Sequence, residues 1–292
     1  MALFIGVVSH PASRFAMSTG PDGLAHRLAR QLQSAGVQTT VVVNAVNAYE
    51  PSMLAIDGRA VARSLHAQLA VESDWRDFLR EGWDPAGRLR GLAAHGVRRV
   101  REWAQFVRPW HSAEVDSAGA RRIRRLVNIE LSHFTLMRQA LDSGAEWTLI
   151  VEDDAATDDL DDCSRGLIGL MAAGPRQPSY VNVSQSFNSR DLGISHLVTP
   201  VTGVAWQGSH QRSLLASSRP VTNTVCAILY RTAFVRQLLE VTDAMPLDPV
   251  IPIDWKLNIA LMRLFDAGAL TDGDCWTVTP APIDQLSMIA SR

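Results

Sequence analysis

The chain has 292 residues, 47% hydrophobic and 20% charged, so it is long enough to bury the core of one large domain. Its formal net charge of −2 gives no reason to expect nucleic acid as a partner. The cysteines Cys163, Cys226 and Cys275 are odd in number and widely spaced, which argues against a disulfide framework and a cysteine zinc site. This cysteine pattern fits a reducing cytoplasm best. No apolar run reaches about 18 residues, so no transmembrane helix is expected.

The N-terminal segment predicts a β-α-β unit. Leu3 to Val8 is a short, continuous apolar run, which is typical of a buried strand. Leu24, Leu28 and Leu32 recur every fourth residue, as on the buried side of a helix. Val37 to Val43 is rich in β-branched residues and predicts a second strand. A strand, a helix and a strand in this order favour a parallel sheet.

The next part of the chain differs in composition. Pro51 to Trp110 contains few strand signals, many arginines and several tryptophans. We interpret residues 51–125 as a helical insertion within a single domain that spans residues 1–292.

The second half alternates again between helix and strand patterns. Leu126 to Leu141 predicts a helix, and Trp147 to Val151 predicts a buried strand directly after it. Ser184 to Arg219 is polar and predicts long loops near a site. Further helices are predicted over Asp158 to Met171, Thr232 to Thr242 and Ile253 to Phe265, and further strands over Tyr180 to Val183, Val225 to Tyr230 and Trp276 to Val278.

An acidic motif follows the strand that begins at Trp147. Glu152, Asp153 and Asp154 come directly after it, and in open α/β sheets ligands bind beyond the carboxyl ends of the strands. Strand alternation places Glu152 and Asp154 on one side and Asp153 on the other. Because a hard divalent cation relieves the repulsion between carboxylates, the motif predicts a Mn²⁺ or Mg²⁺ site. The alternative is an acidic turn that caps the next helix.

Other polar residues are interpreted as structural. We expect the acids between residues 158 and 162 to be solvent-exposed residues at a helix start, where negative charge is favourable. His133, among apolar neighbours on a helix, is expected to be structural or to support the site, rather than to act as the catalytic base. Most arginines of residues 121–125 are expected to lie on a solvated helix face, although one or two could neutralise a diphosphate. The sequence has neither a P-loop nor a dinucleotide fingerprint, which disfavours phosphoryl and hydride transfer.

Two segments share the pattern of a known family, Leu131-Ser132-His133-Phe134-Thr135-Leu136 and Leu149-Ile150-Val151-Glu152-Asp153-Asp154-Ala155. In these segments the chain resembles glycosyltransferase family 25, which includes bacterial lipopolysaccharide galactosyltransferases. The family has a Ser-His pair on a helix and, about one helix and one strand later, an apolar run that ends in Glu-Asp-Asp-Ala. Weaker matches follow the family's order at Val7-Val8-Ser9 with Arg14, Ser179 to Val183, Val225 to Tyr230, Pro252 to Trp255 and Pro280 to Gln285.

The resemblance implies a GT-A fold, which is an α/β fold with a mostly parallel central sheet flanked by helices. It also implies a nucleotide-sugar donor, a divalent metal and inversion at the transferred sugar. We therefore expect transfer of a hexose, such as galactose or glucose, from a UDP-linked donor to a hydroxyl of a glycan, lipid-linked or small-molecule acceptor. Glycan or lipopolysaccharide synthesis would take place in the cytoplasm, with peripheral attachment to the inner membrane as an option. The alternatives are a nucleotidyltransferase on the same type of sheet and a non-catalytic sugar-nucleotide-binding module.

The metal and donor residues are expected at one edge of the sheet. Asp154 is the expected direct metal ligand, and Glu152 is expected to support the metal or the donor ribose. Asp153, Ser9 and Arg14 are expected on the donor side, because the first strand ends at the same edge as Glu152 in a parallel sheet. Arginine suits phosphate binding, although Arg14 is equally well explained as a solvated loop residue.

The expected general base is Asp254. A sugar hydroxyl needs a base that removes its proton, and an inverting transfer requires this base to be separate from the metal-binding acids. Asp254 lies at a predicted helix start, in the segment that resembles the family's Pro-x-Asp sequence. The alternatives are that Asp254 caps the helix or that Asp248, Asp284 or Glu240 is the base.

Overall fold

A computed structural model describes residues 1–10, 13–44, 85–102, 104, 118–174, 177–184, 198–217, 224–245 and 252–289. The strands within these residues are β1 (Ala2–Val8), β2 (Gln38–Asn44), β3 (Trp147–Glu152), β4 (Ala155–Ala156), β5 (Tyr180–Asn182), β6 (Val198–Pro200), β7 (Ser213–Ser217), β8 (Ala227–Arg231), β9 (Cys275–Thr279) and β10 (Asp284–Gln285). The α-helices are α1 (Leu24–Ser34), α2 (Pro85–Glu102), α3 (Ala118–Ser143), α4 (Leu160–Met171), α5 (Thr232–Asp243), α6 (Ile253–Asp266) and α7 (Leu286–Ile289).

The centre of the molecule is an eight-stranded sheet with the strand order β2-β1-β3-β8-β5-β9-β7-β6. β1 pairs in parallel with β2 and β3, and β5 pairs in parallel with β9. β7 and β8 run antiparallel to their neighbours, so six of the eight strands share one direction. The predicted α/β fold with a mostly parallel central sheet is confirmed at this level. Within the described residues, no helix is long and apolar enough to cross a membrane.

Hydrophobic side chains alternate along the central strands and form two separate cores. Leu3, Ile5 and Val7 of β1 pack with α1 and α4 on one face of the sheet. Phe4 and Val8 pack with α3, α5 and α6 on the other face. Burial of each large apolar side chain contributes about 1.5–3 kcal/mol, so a one-residue slip of β1 would expose both sets. This alternation fixes the register that aligns the ends of β1 and β3.

Helix α3 packs very closely against the sheet at Gly6. A Cβ atom at this position would lie 2.8 Å from Ile150 Cδ1 and 3.1 Å from Leu136 Cβ, so a larger residue would push the helix away. The chain leaves α3 and enters β3 in the opposite direction. The middle of α3 therefore lies level with the carboxyl end of β3, where the acidic motif is located.

The sequence prediction of loops over residues 184–219 is wrong for two segments. β6 and β7 form an antiparallel pair there, and β7 also pairs with β9. Both are short strands at one side of the sheet. Their pairing depends on β9, which is more than 50 residues away in the chain, and local composition does not reveal such a partner.

Only part of the predicted helical insertion is described. α2 and the start of α3 lie within residues 51–125 and are helical. Residues 51–84 and 105–117 lie outside the described residues, and the predicted boundaries of the insertion therefore stay a prediction.

The acids at the start of α4 divide into two kinds. Asp159 is the N-cap, because its side chain accepts a hydrogen bond from the Asp162 backbone N–H at 2.8 Å. The prediction of a solvent-exposed residue is wrong for Asp162, which is completely buried. Its carboxylate accepts hydrogen bonds from Arg212 Nε at 2.8 Å and Trp206 Nε1 at 3.2 Å. Sequence spacing could not reveal this, because both partners come from the distant segment before β7.

Candidate active site

The carboxyl ends of β1 and β3 open into a cavity of about 410 Å³. This volume lies within the range of small-molecule sites, which is roughly 300–1,000 Å³. The structure brings five of the six predicted site residues to its walls, namely Ser9, Arg14, Glu152, Asp153 and Asp154.

Ser9 and Asp153 join the end of β1 to the acidic motif. Ser9 Oγ donates a hydrogen bond to Asp153 Oδ2 at 2.8 Å, and the Asp153 backbone N–H donates to the Val8 carbonyl at 3.0 Å. The Ser9 backbone N–H donates in turn to the Asn44 carbonyl at the end of β2. Three neighbouring strand ends are thus held together, and the orientation of the Asp153 carboxylate is fixed from the β1 side.

Glu152 and Asp154 form a compact cluster with Cys226, which precedes β8. Their ligand atoms all lie within 4.8 Å of one another, and Cys226 Sγ lies 3.9 Å from Asp154 Oδ1. Gln285 Nε2 donates to Glu152 Oε2 at 3.1 Å and holds this carboxylate in place. Glu152 and Asp154 therefore share one environment and Asp153 another, as strand alternation predicts. Two carboxylates and a thiol at this spacing fit a divalent cation.

The acidic motif does not cap a helix. β4 follows it directly, and the N-cap of α4 is Asp159. The alternative interpretation of these three acids as residues that cap the next helix is therefore wrong.

The cluster strongly disfavours a free thiolate at Cys226. Burial raises the pKa of this thiol well above its ordinary value, and the negative charges of Glu152, Asp154, Asp284 and Asp153 raise it further. Without a cation, the thiol is protonated and directed towards the Asp154 carboxylate.

His133 of α3 lies beside Glu152 of the cluster. Its side chain is almost completely buried, and its Nε2 lies 3.9 Å from Glu152 Oε1. Neither ring nitrogen has a hydrogen-bond partner among the described residues. A buried polar atom without a hydrogen-bond partner lowers the stability of the fold by about 1–3 kcal/mol. His133 places such atoms directly beside the cluster.

Two arginines add positive charge to the cavity. Arg14 is exposed, and its guanidinium carbon lies 4.7 Å from the centre of the Phe15 ring. Arg125, an exposed residue of α3, lines the same cavity. Guanidinium groups bind phosphate oxygens in a bidentate manner, so the walls combine groups suited to a diphosphate with carboxylates suited to a cation.

Asp254 is not among the described residues that line the cavity. It is the second residue of α6, whose N-cap is Pro252, so Asp254 is not the capping residue. Two residues further on, buried Lys256 pairs with Glu130 of α3. Burial raises the pKa of Glu130, although the Lys256 charge opposes this shift. This ion pair ties the start of α6 to the helix that carries His133.

The sequence analysis did not name Gln285 or Cys226 as site residues, and it considered Arg125 only as one of the arginines of residues 121–125 that could neutralise a diphosphate. Gln285 and Cys226 both belong to segments that resemble family 25 weakly, which was the available signal for them. Cys226 is adjacent to Glu152 because β8 pairs antiparallel with β3, and the Glu152 N–H donates to the Cys226 carbonyl at 2.8 Å. The sequence pattern contains no information about that pairing.

The chain matches no known family model, and no curated protein matches it in sequence. Its function is therefore inferred from the chemistry of the cavity and from the motifs that resemble family 25.

Proposed function

We propose that this protein is a metal-dependent glycosyltransferase with a GT-A-type fold. It transfers a hexose from a UDP-linked donor to a hydroxyl of a glycan, lipid-linked or small-molecule acceptor, with inversion and with Mn²⁺ or Mg²⁺ as the cofactor. The observation that carries the proposal is the presence of three carboxylates and two arginines in one cavity at the carboxyl edge of the sheet.

The donor end of the cavity is suited to a nucleoside diphosphate. Glu152 and Asp154 would hold the divalent cation, which supplies Lewis-acid stabilisation of the departing diphosphate. Arg14 and Arg125 contribute positive charge for the phosphate oxygens. Ser9 orients Asp153, whose carboxylate is then available to hydroxyl groups of the donor. Because Ser9 and Gln285 hold the Asp153 and Glu152 carboxylates in place before binding, these acids need little reorganisation during the reaction.

Asp254 is the proposed general base. In an inverting transfer, the base must lie on the opposite side of the sugar ring from the leaving diphosphate, and this requirement separates it from Glu152 and Asp154. The start of α6 is suitable because the Lys256–Glu130 pair holds it beside α3, whose residues Asn128 and Ile129 line the cavity. Removal of the acceptor proton by such a group contributes typically about 10²–10⁴-fold to the rate.

Nucleotide binding provides the first test. Thermal unfolding is measured with a panel of nucleotide sugars, including UDP-galactose and UDP-glucose, with and without Mn²⁺. A ligand that binds only the folded protein raises the Tm by mass action. We expect a UDP-hexose to raise the Tm when Mn²⁺ is present, and to have little effect without it.

Product analysis separates the proposal from its two alternatives. A transferase releases UDP from the donor, and it slowly releases free sugar when no acceptor is present. A nucleotidyltransferase instead incorporates the nucleotide part into a product. A non-catalytic module binds the sugar nucleotide and forms neither product.

A further inference from the structure

We propose that Cys226 and His133 are ligands of the same metal ion as Glu152 and Asp154, and that this mixed donor set selects Zn²⁺, Co²⁺ or Mn²⁺ over Mg²⁺. The inference rests on the metal site of the proposed function, but it does not depend on which reaction takes place there. It concerns the identity of the ligands and of the cation.

The distances fit coordination of one ion. Zinc lies about 2.3 Å from a thiolate sulfur and about 2.1 Å from a carboxylate oxygen, so in a tetrahedral site these two ligand atoms are about 3.6 Å apart, and about 4.4 Å is the limit for ligands on opposite sides of the ion. Cys226 Sγ and Asp154 Oδ1 are 3.9 Å apart, within this limit. The ligand atoms of Glu152, Asp154 and Cys226 all lie within 4.8 Å of one another.

His133 provides the second, independent observation. It is buried, both ring nitrogens lack a hydrogen-bond partner among the described residues, and Nε2 lies 3.9 Å from Glu152 Oε1. A nitrogen and an oxygen on one ion can be up to about 4.2 Å apart, so Nε2 is within range of an ion held by Glu152. His133 lies outside the group of three ligands that are mutually within 4.8 Å, so its side chain would have to move towards Asp154 and Cys226 to bind the same ion. Coordination would give this imidazole nitrogen the partner that the protein itself does not supply.

The chemical types of the ligand atoms determine which cation the site prefers. Mg²⁺ favours an octahedral shell of oxygens and keeps several waters, whereas thiolate and imidazole favour zinc and other transition metals. A site with two oxygens, one sulfur and one nitrogen should therefore follow the order Mg²⁺ < Mn²⁺ < Co²⁺, with Zn²⁺ also tight. The thiol proton is released to solvent as the metal–sulfur bond forms.

Cobalt spectroscopy on the full chain tests the role of Cys226. Titration of the metal-free protein with Co²⁺ should produce the intense near-ultraviolet absorption of a thiolate–cobalt bond. The absorption should be absent in Cys226→Ser and in Cys226→Ala. It should persist in Cys163→Ser, because Cys163 is an equally buried cysteine in α4, outside the cluster. A parent protein that binds Co²⁺ without this absorption would overturn the inference, whatever the stability of the variants.

Affinity measurements test His133 and the order of preference. His133→Gln should keep the thiolate absorption and bind Co²⁺ at least about tenfold more weakly. Unchanged Co²⁺ affinity in this variant would remove His133 from the site.

In competition experiments, a large excess of Mg²⁺ should fail to displace Co²⁺ from the parent, and easy displacement would contradict the inference.

The outcomes for metal binding and for function are distinguishable. Turnover of a UDP-hexose by a protein without thiolate–cobalt absorption would leave the proposed function in place and overturn this inference. A protein with the absorption but without nucleotide-sugar binding would support this inference and count against the proposed function.

Discussion

Ser9 Oγ lies 2.8 Å from Asp153 Oδ2, and this hydrogen bond connects the residue after the first strand to the middle of the acidic motif after the third. The two residues are 144 positions apart in the chain. They meet because β1 and β3 pair in parallel and in register, with Val8 opposite Glu152. The donor side of the cavity therefore depends on a contact between two strand ends.

Ser9→Ala should lower the affinity for the sugar-nucleotide donor, with a smaller effect on the free energy of unfolding. A hydrogen bond to a charged group contributes about 1.5–3 kcal/mol, and its loss frees the Asp153 carboxylate to turn away from the donor. We expect UDP-hexose affinity in the presence of Mn²⁺ to fall about tenfold in calorimetric titrations. Ser164→Ala is the matched control, because this buried serine of α4 donates to the Asp161 carbonyl and does not line the cavity. Equal donor affinity in the two variants would exclude the proposed role of Ser9.

Arg14→Ala should lower affinity for the diphosphate donor. The loss of one charge-assisted phosphate contact is expected to cost about 1.5–3 kcal/mol, which is roughly 10- to 100-fold in Kd. The effect should be smaller for the unphosphorylated nucleoside, because it lacks the charged group. Arg138→Ala is the control, since Arg138 is an exposed arginine paired with Asp243. If Arg14→Ala and Arg138→Ala bind the donor equally well, Arg14 is a solvated loop residue.

The sequence was sufficient to predict the strand that carries the acidic motif and the strand beside it. Continuous apolar runs predicted β1 and β3, and alternation predicted that Asp153 would separate from Glu152 and Asp154. The cluster with Cys226 was not predictable, because it depends on which strand lies next to β3. The observed neighbour, β8, follows β3 by more than 70 residues and runs in the opposite direction.

The burial of Asp162 was also not predictable from the sequence, because it depends on a residue that is distant in the chain. Its position at a helix start predicted exposure, but its role depends on Arg212, which is 50 residues away. Arg212 also donates hydrogen bonds to the Pro280 and Ala281 carbonyls. Arg212 therefore connects the segment before β7 to the Pro-rich segment that precedes Gln285. Local propensity cannot anticipate such tertiary contacts.

Asp162→Asn should destabilise the protein strongly at neutral pH. Removing the charge leaves the nearly buried Arg212 guanidinium without its counter-ion, which typically costs about 3–5 kcal/mol. Asp161→Asn is the control, because Asp161 is an exposed neighbour whose pair with Arg165 should contribute no more than about 0.5 kcal/mol. Urea unfolding at pH 7 measures both. Equal stability of the two variants would contradict this role for Asp162.

The destabilisation by Asp162→Asn should also depend on pH. Burial favours a higher pKa for Asp162, but hydrogen bonds from the His210 backbone N–H, Arg212 and Trp206 outweigh it and hold the pKa below its ordinary value. A lowered folded pKa means that the carboxylate stabilises the fold above the unfolded pKa of about 3.9, and that this contribution is lost as the pH falls through the folded pKa. The difference between parent and variant should therefore shrink under acidic conditions.

Asp254→Asn should remove transfer while preserving donor binding. The loss of a general base lowers the rate by about 10²-fold or more. The loss of one negative charge in the first turn of α6 should cost at most about 1 kcal/mol of stability. Asp284→Asn is measured alongside, because burial, reinforced by Asp158, raises the pKa of Asp284 and makes it the main alternative base. If Asp284→Asn loses transfer and Asp254→Asn retains it, the base has been misassigned.

The decisive measurement for metal-dependent sugar transfer is the release of UDP from a UDP-hexose by the parent protein and by Asp154→Asn. Asp154 is buried in the cluster, and asparagine has nearly the same shape, so the variant should fold normally while binding the cation poorly. We expect the parent, supplied with Mn²⁺, to release UDP and to lose this activity on chelation, and we expect Asp154→Asn to release none. Equal UDP release by parent and variant, or turnover that survives chelation, would contradict the account.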